Sequence, residues 1–288
     1  MDQKRVPEGW DKEKALAEGV RLNVKRAGSG HPVLMFHGGM GSWTHWIRNI
    51  DVLAEHFEVR AIDAPSYGDS EQVDYGLTPE EYLQVAIASV DRIVKDDESF
   101  SIVGFSFGGA IGSAVAAHFG PRLRAVTVIG PGGFSIKGRP RLDFIRYGDV
   151  KDDPAAYRHA LGHNLLQLML KHPESLSEEV LDMQHANVDR AKFNSRNVSA
   201  QPILPENLGM AGCRAQLIYG EDDVTAFPSI EHRADMIREH VPDLKLHVLP
   251  NVGHWAMFEG ADDVNRLIID FHKEALGPRD KSENIHGL

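Results

Sequence analysis

Short apolar runs alternate along the chain with longer stretches whose apolar positions recur every three or four residues. The runs at 22–25, 33–36, 59–62, 101–104, 125–129, 215–219 and 245–249 predict seven strands. Most are rich in Val, Ile and Leu, the composition of strands covered by helices on both faces. Helical patterns between them imply βαβ units and a mostly parallel sheet. Thr78-Pro79-Glu80-Glu81 opens a helix running to about residue 95: Thr78 can cap, Pro79 suits the first helical position and Glu81 completes a capping box. A last helix over 261–275 carries Val264, Leu267, Ile268 and Phe271 on one face, a stripe that belongs in a core.

Between residue 133 and about residue 207 the alternation stops. Asp153-Pro154 opens a helix with Leu161, Leu165, Leu168 and Met169 at helical spacing. Ser177-Glu178-Glu179 opens another, carrying Val180, Leu181 and Gln184, and Pro202 and Pro205 mark the exit. Leu165, Met169 and Met183 are read as packing within this all-helical insertion.

The candidate chemistry lies at strand ends. Gly104-Phe105-Ser106-Phe107-Gly108 sits between the apolar run FSIVGF and a helix that starts with small residues, FGGAIGSAVAAHF. A serine on a sharp strand-to-helix turn needs neighbours without clashing side chains, and this Gly-x-Ser-x-Gly supplies them. A serine hydroxyl is a weak nucleophile and needs a base, which in turn needs an orienting acid. Asp223, with Asp222 as the competing choice, follows the strand at 215–219, and His254 follows the strand at 245–249. The expected oxyanion donors are the backbone N–H groups of Phe107 and of Gly39, with Met40 the near alternative to Gly39. His37 is read as a brace for that loop.

With these pieces the chain resembles the α/β-hydrolase superfamily, on His37-Gly38-Gly39, the Ser106 pentapeptide, Gly220 to Asp223, Gly253-His254-Trp255 and the segment from Asp63 to Ser70. The resemblance implies an α/β-hydrolase fold with a mostly parallel central sheet flanked by helices. It also implies a core of residues 1–133 and 207–288 and a helical cap of residues 134–206 after the family's sixth strand, the run at 33–36 counting as its third. Trp43 to Asn49, Gly253 to Glu259 and Asn265 to Phe271 look like the carbon–carbon hydrolases that cleave ring-fission products of aromatic degradation. That likeness assigns substrate contacts to Met40, His45, Phe105, Gln184 and Trp255. It departs from the group at three of them: Phe105 replaces an Asn before the nucleophile, His45 a loop Asn, and Gln184 a cap Arg.

The leading expectation is therefore a serine hydrolase of small organic esters or related acyl compounds, acting through an acyl-enzyme. The alternative is a carbon–carbon hydrolase of 2-hydroxy-6-oxo-dienoates. Further alternatives are a ligand receptor or a cofactor-free oxygenase on the same fold. Dehalogenases and epoxide hydrolases of the superfamily use an Asp nucleophile, where this chain has Ser106.

Composition narrows the partners. A formal net charge of −11 opposes nucleic-acid binding. No apolar run reaches the ~18 residues that would span a membrane, and the first eight residues do not read as a secretory signal. One cysteine, Cys213, excludes internal disulfides, so a cytoplasmic protein is expected, with Cys213 as buried filler. A small-molecule substrate is expected, with no cofactor or metal; a homo-oligomer is allowed. His159 and His163, four apart, lack a third metal ligand in the sequence pattern. Arg139, Arg141, Arg190 and Arg196 are the cations that could meet an anionic substrate, each read as a solvated charge. The tail beyond Gly277 is polar and is expected to fray.

Overall fold

The computed structural model describes residues 6–135, 138 and 141–277. The expectations for the first five residues, for Arg139 and for the tail from residue 278 lie outside the described residues. Seven strands form one sheet: β1 (Val24–Ala27), β2 (Pro32–Phe36), β3 (Glu58–Ile62), β4 (Phe100–Phe105), β5 (Leu123–Ile129), β6 (Arg214–Gly220) and β7 (Lys245–Leu249). They lie in the order β1-β3-β2-β4-β5-β6-β7, with β1 antiparallel to β3 and every other neighbouring pair parallel. The chain steps from β2 to β3 on one side and then returns to place β4 on the other. This reversal opens a crevice at the carboxyl ends of β2 and β4, where open α/β sheets bind ligands.

The helices are α1 (Lys12–Glu18), α2 (Ile50–Ala54), α3 (Pro79–Asp91), α4 (Phe107–Phe119), α5 (Tyr147–Val150) and α6 (Pro154–Leu168), followed by α7 (Glu178–Arg190), α8 (Arg196–Ser199), α9 (Leu204–Ala211), α10 (Ile230–Arg238), α11 (Ala256–Glu259) and α12 (Ala261–Leu276). The predicted starts have the expected chemistry. The Thr78 hydroxyl accepts the Glu81 N–H at 3.2 Å and the Glu81 carboxylate accepts the Thr78 N–H at 3.0 Å. Asp153 caps α6 by accepting from the Ala155 and Ala156 amides at 2.9 and 3.1 Å.

Two expected bounds move. α3 ends at Asp91 rather than near residue 95, because the Ile93 N–H already turns back to the Val90 carbonyl, three residues earlier, at 2.9 Å. β1 starts two residues later than its apolar run suggests. Residues 20–23 bond elsewhere: the Val20 N–H to Ser89 Oγ (2.8 Å), the Arg21 N–H to Glu71 (3.0 Å) and the Asn23 N–H to Ser70 Oγ (2.8 Å).

Successive β2 residues point to opposite faces and enter separate cores. Leu34 and Phe36 pack with α3, α4, α9 and α10; Val33 and Met35 pack with α2, α11 and α12. The helical insertion lies between β5 and β6, and on the count that makes β2 the third strand, β5 is the sixth. Every regular element described in the insertion is helical. Leu161, Leu165 and Met169 of this insertion are buried with Phe105, Trp255 and Val252, so its packing is continuous with the second core rather than separate from it. α9 runs across the expected 206/207 boundary and packs on α4.

Candidate active site

Ser106 lies between the end of β4 and the start of α4 with φ 51° and ψ −116°, a strained conformation for a residue with a side chain. The turn is possible because its neighbours are small: a Cβ on Gly108 would lie 2.1 Å from the Phe36 carbonyl oxygen. The Ser106 N–H is tied to the Ile129 carbonyl at 3.0 Å, and its own carbonyl accepts from Gly109 and Gly132. The hydroxyl is thereby aimed out of the sheet's carboxyl edge.

An unbroken relay leads away from that hydroxyl. Ser106 Oγ lies 3.0 Å from His254 Nε2, and His254 Nδ1 lies 2.7 Å from Asp223 Oδ2. A carboxylate only accepts, so Nδ1 carries the proton and Nε2 faces the serine as an acceptor. Both partners are buried, the Asp223 side chain at 0% exposure. The other Asp223 oxygen accepts the Thr225 N–H at 2.7 Å, which fixes the carboxylate's rotation. Asp222, the competing acid, points away and pairs with Lys171 at the surface.

The loop after β2 faces this relay. A Cβ built on Gly38 would lie 3.3 Å from Ser106 Cβ, and one on Gly39 would lie 4.0 Å from Phe107 Cβ. Neither the Gly39 nor the Phe107 amide is a donor in the turn and loop hydrogen bonds of the described residues. Met40 follows at φ 51° and is 43% exposed. His37 braces the loop as expected. Its Nδ1–H donates to the Gly38 carbonyl (2.7 Å) and its Nε2 accepts the Ala64 N–H (3.0 Å). Burial holds it neutral, lowering its pKa against the opposing pull of Asp63.

The other expected substrate contacts take definite places. His45 is 1% exposed; its Nδ1 accepts the Gly38 N–H at 3.2 Å, which leaves the proton on Nε2, a buried atom with no partner among the described residues. Burial pushes its pKa well below the ordinary value, and His37 and His254 add to that shift. Phe105 is fully buried, its ring 4.9 Å from that of His254 and 5.7 Å from that of His45. Trp255 is fully buried too: its indole N–H donates to the His45 carbonyl at 3.0 Å, and its ring stacks on Phe258. Gln184, on α7, donates its amide to the Met40 carbonyl at 3.3 Å, and its Oε1 is buried without a partner among the described residues.

The remaining candidates lie apart from the relay or are engaged elsewhere. Arg190 pairs with Asp69 and Arg196 stacks over Phe144. His163 bonds the Asp143 carbonyl, and among the described residues no three His, Cys, Asp or Glu side chains form a metal-ligand cluster. Cys213 is a free, half-buried thiol pushed up to about 11 by burial.

Sequence reasoning missed two residues that shape the site, Gly130 and Asn187, and gave a third, Asp63, no role beyond its place in a resembling segment. Gly130, at the end of β5, has φ +46°, and a Cβ there would lie 2.7 Å from Asp223 Oδ2 and 2.9 Å from His254 Nδ1. The cluster Gly130-Pro131-Gly132-Gly133 after an apolar run was the available signal. Asn187 joins α7 to the loop after β2, accepting from Ser42 at 2.8 Å and donating to Thr44 at 3.0 Å. Buried Asp63 gathers the Trp43 N–H (2.6 Å), the Asn23 amide (2.8 Å) and the Asp69 N–H (3.1 Å). Neither polar contact has a local sequence signature.

Among proteins of known activity, the chain is 28% identical over 277 residues to the 2-hydroxy-6-oxo-6-phenylhexa-2,4-dienoate hydrolase of Burkholderia cepacia, covering 90% of this chain and 93% of that one. It is 28% identical over 280 residues to the 2-hydroxy-6-oxononadienedioate/2-hydroxy-6-oxononatrienedioate hydrolase of Comamonas testosteroni, with the same coverage. In fold it resembles the meta-cleavage product hydrolase of Pseudomonas fluorescens, with a TM-score of 0.69 at 23% identity over 90% of this chain and 97% of that one. It also resembles the enol-lactonase of Burkholderia xenovorans, with a TM-score of 0.67 at 18% identity over 88% and 96%. Residues 33–267 match the alpha/beta hydrolase family. That span runs from β2 into α12 and takes in the serine elbow, the acid loop and the histidine loop: the chain belongs to the alpha/beta hydrolase family.

Proposed function

We propose that this protein is a serine hydrolase that cleaves the carbon–carbon bond beside a ketone in a 2-hydroxy-6-oxo-dienoate or a closely related vinylogous diketone. The observation that carries the serine chemistry is the relay Ser106–His254–Asp223, with separations of 3.0 and 2.7 Å. Support for the substrate class comes from the relatives that match about nine-tenths of the chain and are named for such dienoates.

In this reading the dienol first ketonises, which turns the bond to be cleaved into one whose carbon fragment can leave as a stabilised enolate. Ser106 Oγ attacks the distal ketone while His254 Nε2 takes its proton. The Phe107 and Gly39 amides receive the developing oxyanion, and the loss of one such donor typically costs ~3–4 kcal/mol of transition-state stabilisation. His254 returns its proton to the departing carbon, leaving an acyl-serine. It then deprotonates a water, and hydrolysis releases the acid and the free serine. Asp223 holds the Nδ1–H tautomer and stabilises the imidazolium formed at each proton transfer.

A second reading, hydrolysis of an uncharged ester, is favoured by one specific observation. Phe105 and Gln184 put an apolar ring and a neutral amide where the carbon–carbon hydrolases that the sequence resembles have Asn and Arg. The visible-absorbance decay of 2-hydroxy-6-oxo-6-phenylhexa-2,4-dienoate separates the two. Rapid decay that is lost in Ser106→Ala, by roughly a thousandfold or more, with an unchanged circular dichroism spectrum, is the expected result. Turnover of p-nitrophenyl esters with no dienoate decay would replace the carbon–carbon reading by the ester one. Full activity in Ser106→Ala would end both.

A further inference from the structure

The loop bearing His254 is held on both flanks by one short segment of the helical insertion, residues 169–172, which follows α6. The Trp255 N–H donates to the Met169 carbonyl at 2.8 Å. On the other flank the tie runs through Glu259, on α11. Its Oε2 accepts the Gly253 N–H at 3.0 Å and the Lys171 N–H at 3.1 Å, while its Oε1 accepts the Lys171 N–H at 3.1 Å and the His172 N–H at 2.9 Å. One carboxylate thus joins three backbone amides from two chain segments, one of them the residue just before His254. The approach is close enough that a Cβ on Gly253 would lie 2.9 Å from both Glu259 Oε2 and the Lys171 nitrogen. Two further ties reinforce it: His172 Nε2–H donates to the Asn251 carbonyl at 2.8 Å, and Lys171 pairs with Asp222, the neighbour of Asp223.

A carboxylate suits this task because charge-assisted bonds from backbone N–H groups are about twice as strong as neutral ones, and it offers acceptor sites on both oxygens. We propose that Glu259 is a positioning residue for His254: it locks the 169–172 segment of the insertion onto the histidine loop, so that the imidazole's place between Ser106 and Asp223 depends on how the insertion is seated. This rests on the serine-relay reading above but not on which bond is cleaved. Movement of α6 against the core would pull directly on Gly253 and Trp255.

The test uses a small probe that does not depend on the natural substrate. Phosphonylation of Ser106 by a fluorophosphonate, with fluoride leaving and the serine proton passing to His254, is timed in the full-length protein, and the low-field proton resonance of His254 Nδ1–H is recorded. In Glu259→Gln, which keeps the size but offers one acceptor oxygen and adds a donor, phosphonylation is expected to slow roughly tenfold or more, since small misplacements of a reacting group are costly. The low-field resonance should shift or broaden. Glu259→Asp is expected to recover part of the rate. Of the ties to the histidine loop, His172→Ala removes only the one to Asn251, and it should show a smaller change in the same direction. Ile237→Ala, buried on α10, which packs on α9, serves as a destabilised control and should phosphonylate at the unaltered rate. Glu259→Gln reacting within twofold of the parent with an unshifted resonance overturns the proposal. If that variant does not fold, a parental rate with an unshifted resonance in Glu259→Asp, whose shortened side chain cannot hold all three amides, does so. Failure of the parent protein itself to be phosphonylated would instead sink the serine-relay reading.

Discussion

Ser106 is strained, and the strain is maintained by atoms far from it in sequence. The nucleophile turn needs the Phe36 carbonyl against Gly108 and the Ile129 carbonyl on the Ser106 amide, so β2, β4 and β5 together hold one side chain in place. Gly130 is the residue most exposed to test on this point. At φ +46° a Cβ is disfavoured in itself, and here it would also press on Asp223 Oδ2 and His254 Nδ1. Gly130→Ala is expected to lower the rate constant for serine acylation by about a hundredfold. The spectroscopic signature of the fold should be kept and the melting temperature should fall modestly, as checked by burst kinetics and calorimetry on the same preparation. A variant with parental acylation would mean that the Asp223–His254 pair tolerates displacement.

At the scale of elements, local signals and packing divide the work. The capping box at Thr78 and Glu81 starts α3 from four residues of sequence and is present with both of its hydrogen bonds. Thr78→Ala is expected to cost about 1 kcal/mol and lower the melting temperature by roughly 2–4 °C, with activity unchanged, since α3 holds no part of the relay. Thermal unfolding followed at 222 nm checks it. The starts of α6 and α7 at Asp153 and Ser177 were equally legible, because caps act within one turn of the chain. The ends were less so. β1 begins late because Asn23 is drawn to Ser70 and Asp63, forty or more residues away, and no periodicity encodes that competition.

At the scale of the whole molecule, the buried histidines set the acid limit of the fold. His272 is fully buried on α12 with its Nε2–H donating to Thr127 Oγ1 at 2.9 Å, and burial pushes its pKa down to about 3. His31, bonded to Ser101 at 2.9 Å, is lowered to about 4, first by burial and then by nearby Arg124. Both titrate near 6.5 once unfolded, so above that value neither affects stability. As the pH falls below it the unfolded chain takes up protons that the folded chain refuses. Stability then drops by up to about 1.4 kcal/mol per pH unit for each such group until its folded pKa is reached, and by less for the partly exposed His31. His272→Gln keeps an N–H for Thr127 and does not titrate. Its urea midpoint should therefore fall less steeply than that of the parent between pH 6 and pH 4. An identical slope would show that His272 is not part of the acid limit.

The sequence by itself determined the strand runs, the helix starts, the serine elbow and the order of the serine, acid and histidine loops. These depend on side-chain periodicity, on capping within a turn and on glycines flanking one residue, all of which are local. Only the tertiary structure decided which of Asp222 and Asp223 meets His254, because two adjacent residues at a turn point in opposite directions and one is drawn to Lys171. It alone decided that His45 spends Nδ1 on the Gly38 amide and that the Trp255 indole N–H donates to the His45 carbonyl. It alone brought Glu259 onto Lys171 and His172, 88 and 87 residues earlier in the chain. Such contacts arise when separate layers close on one another, and a hydrogen bond between distant residues leaves no spacing in the sequence from which it could be read.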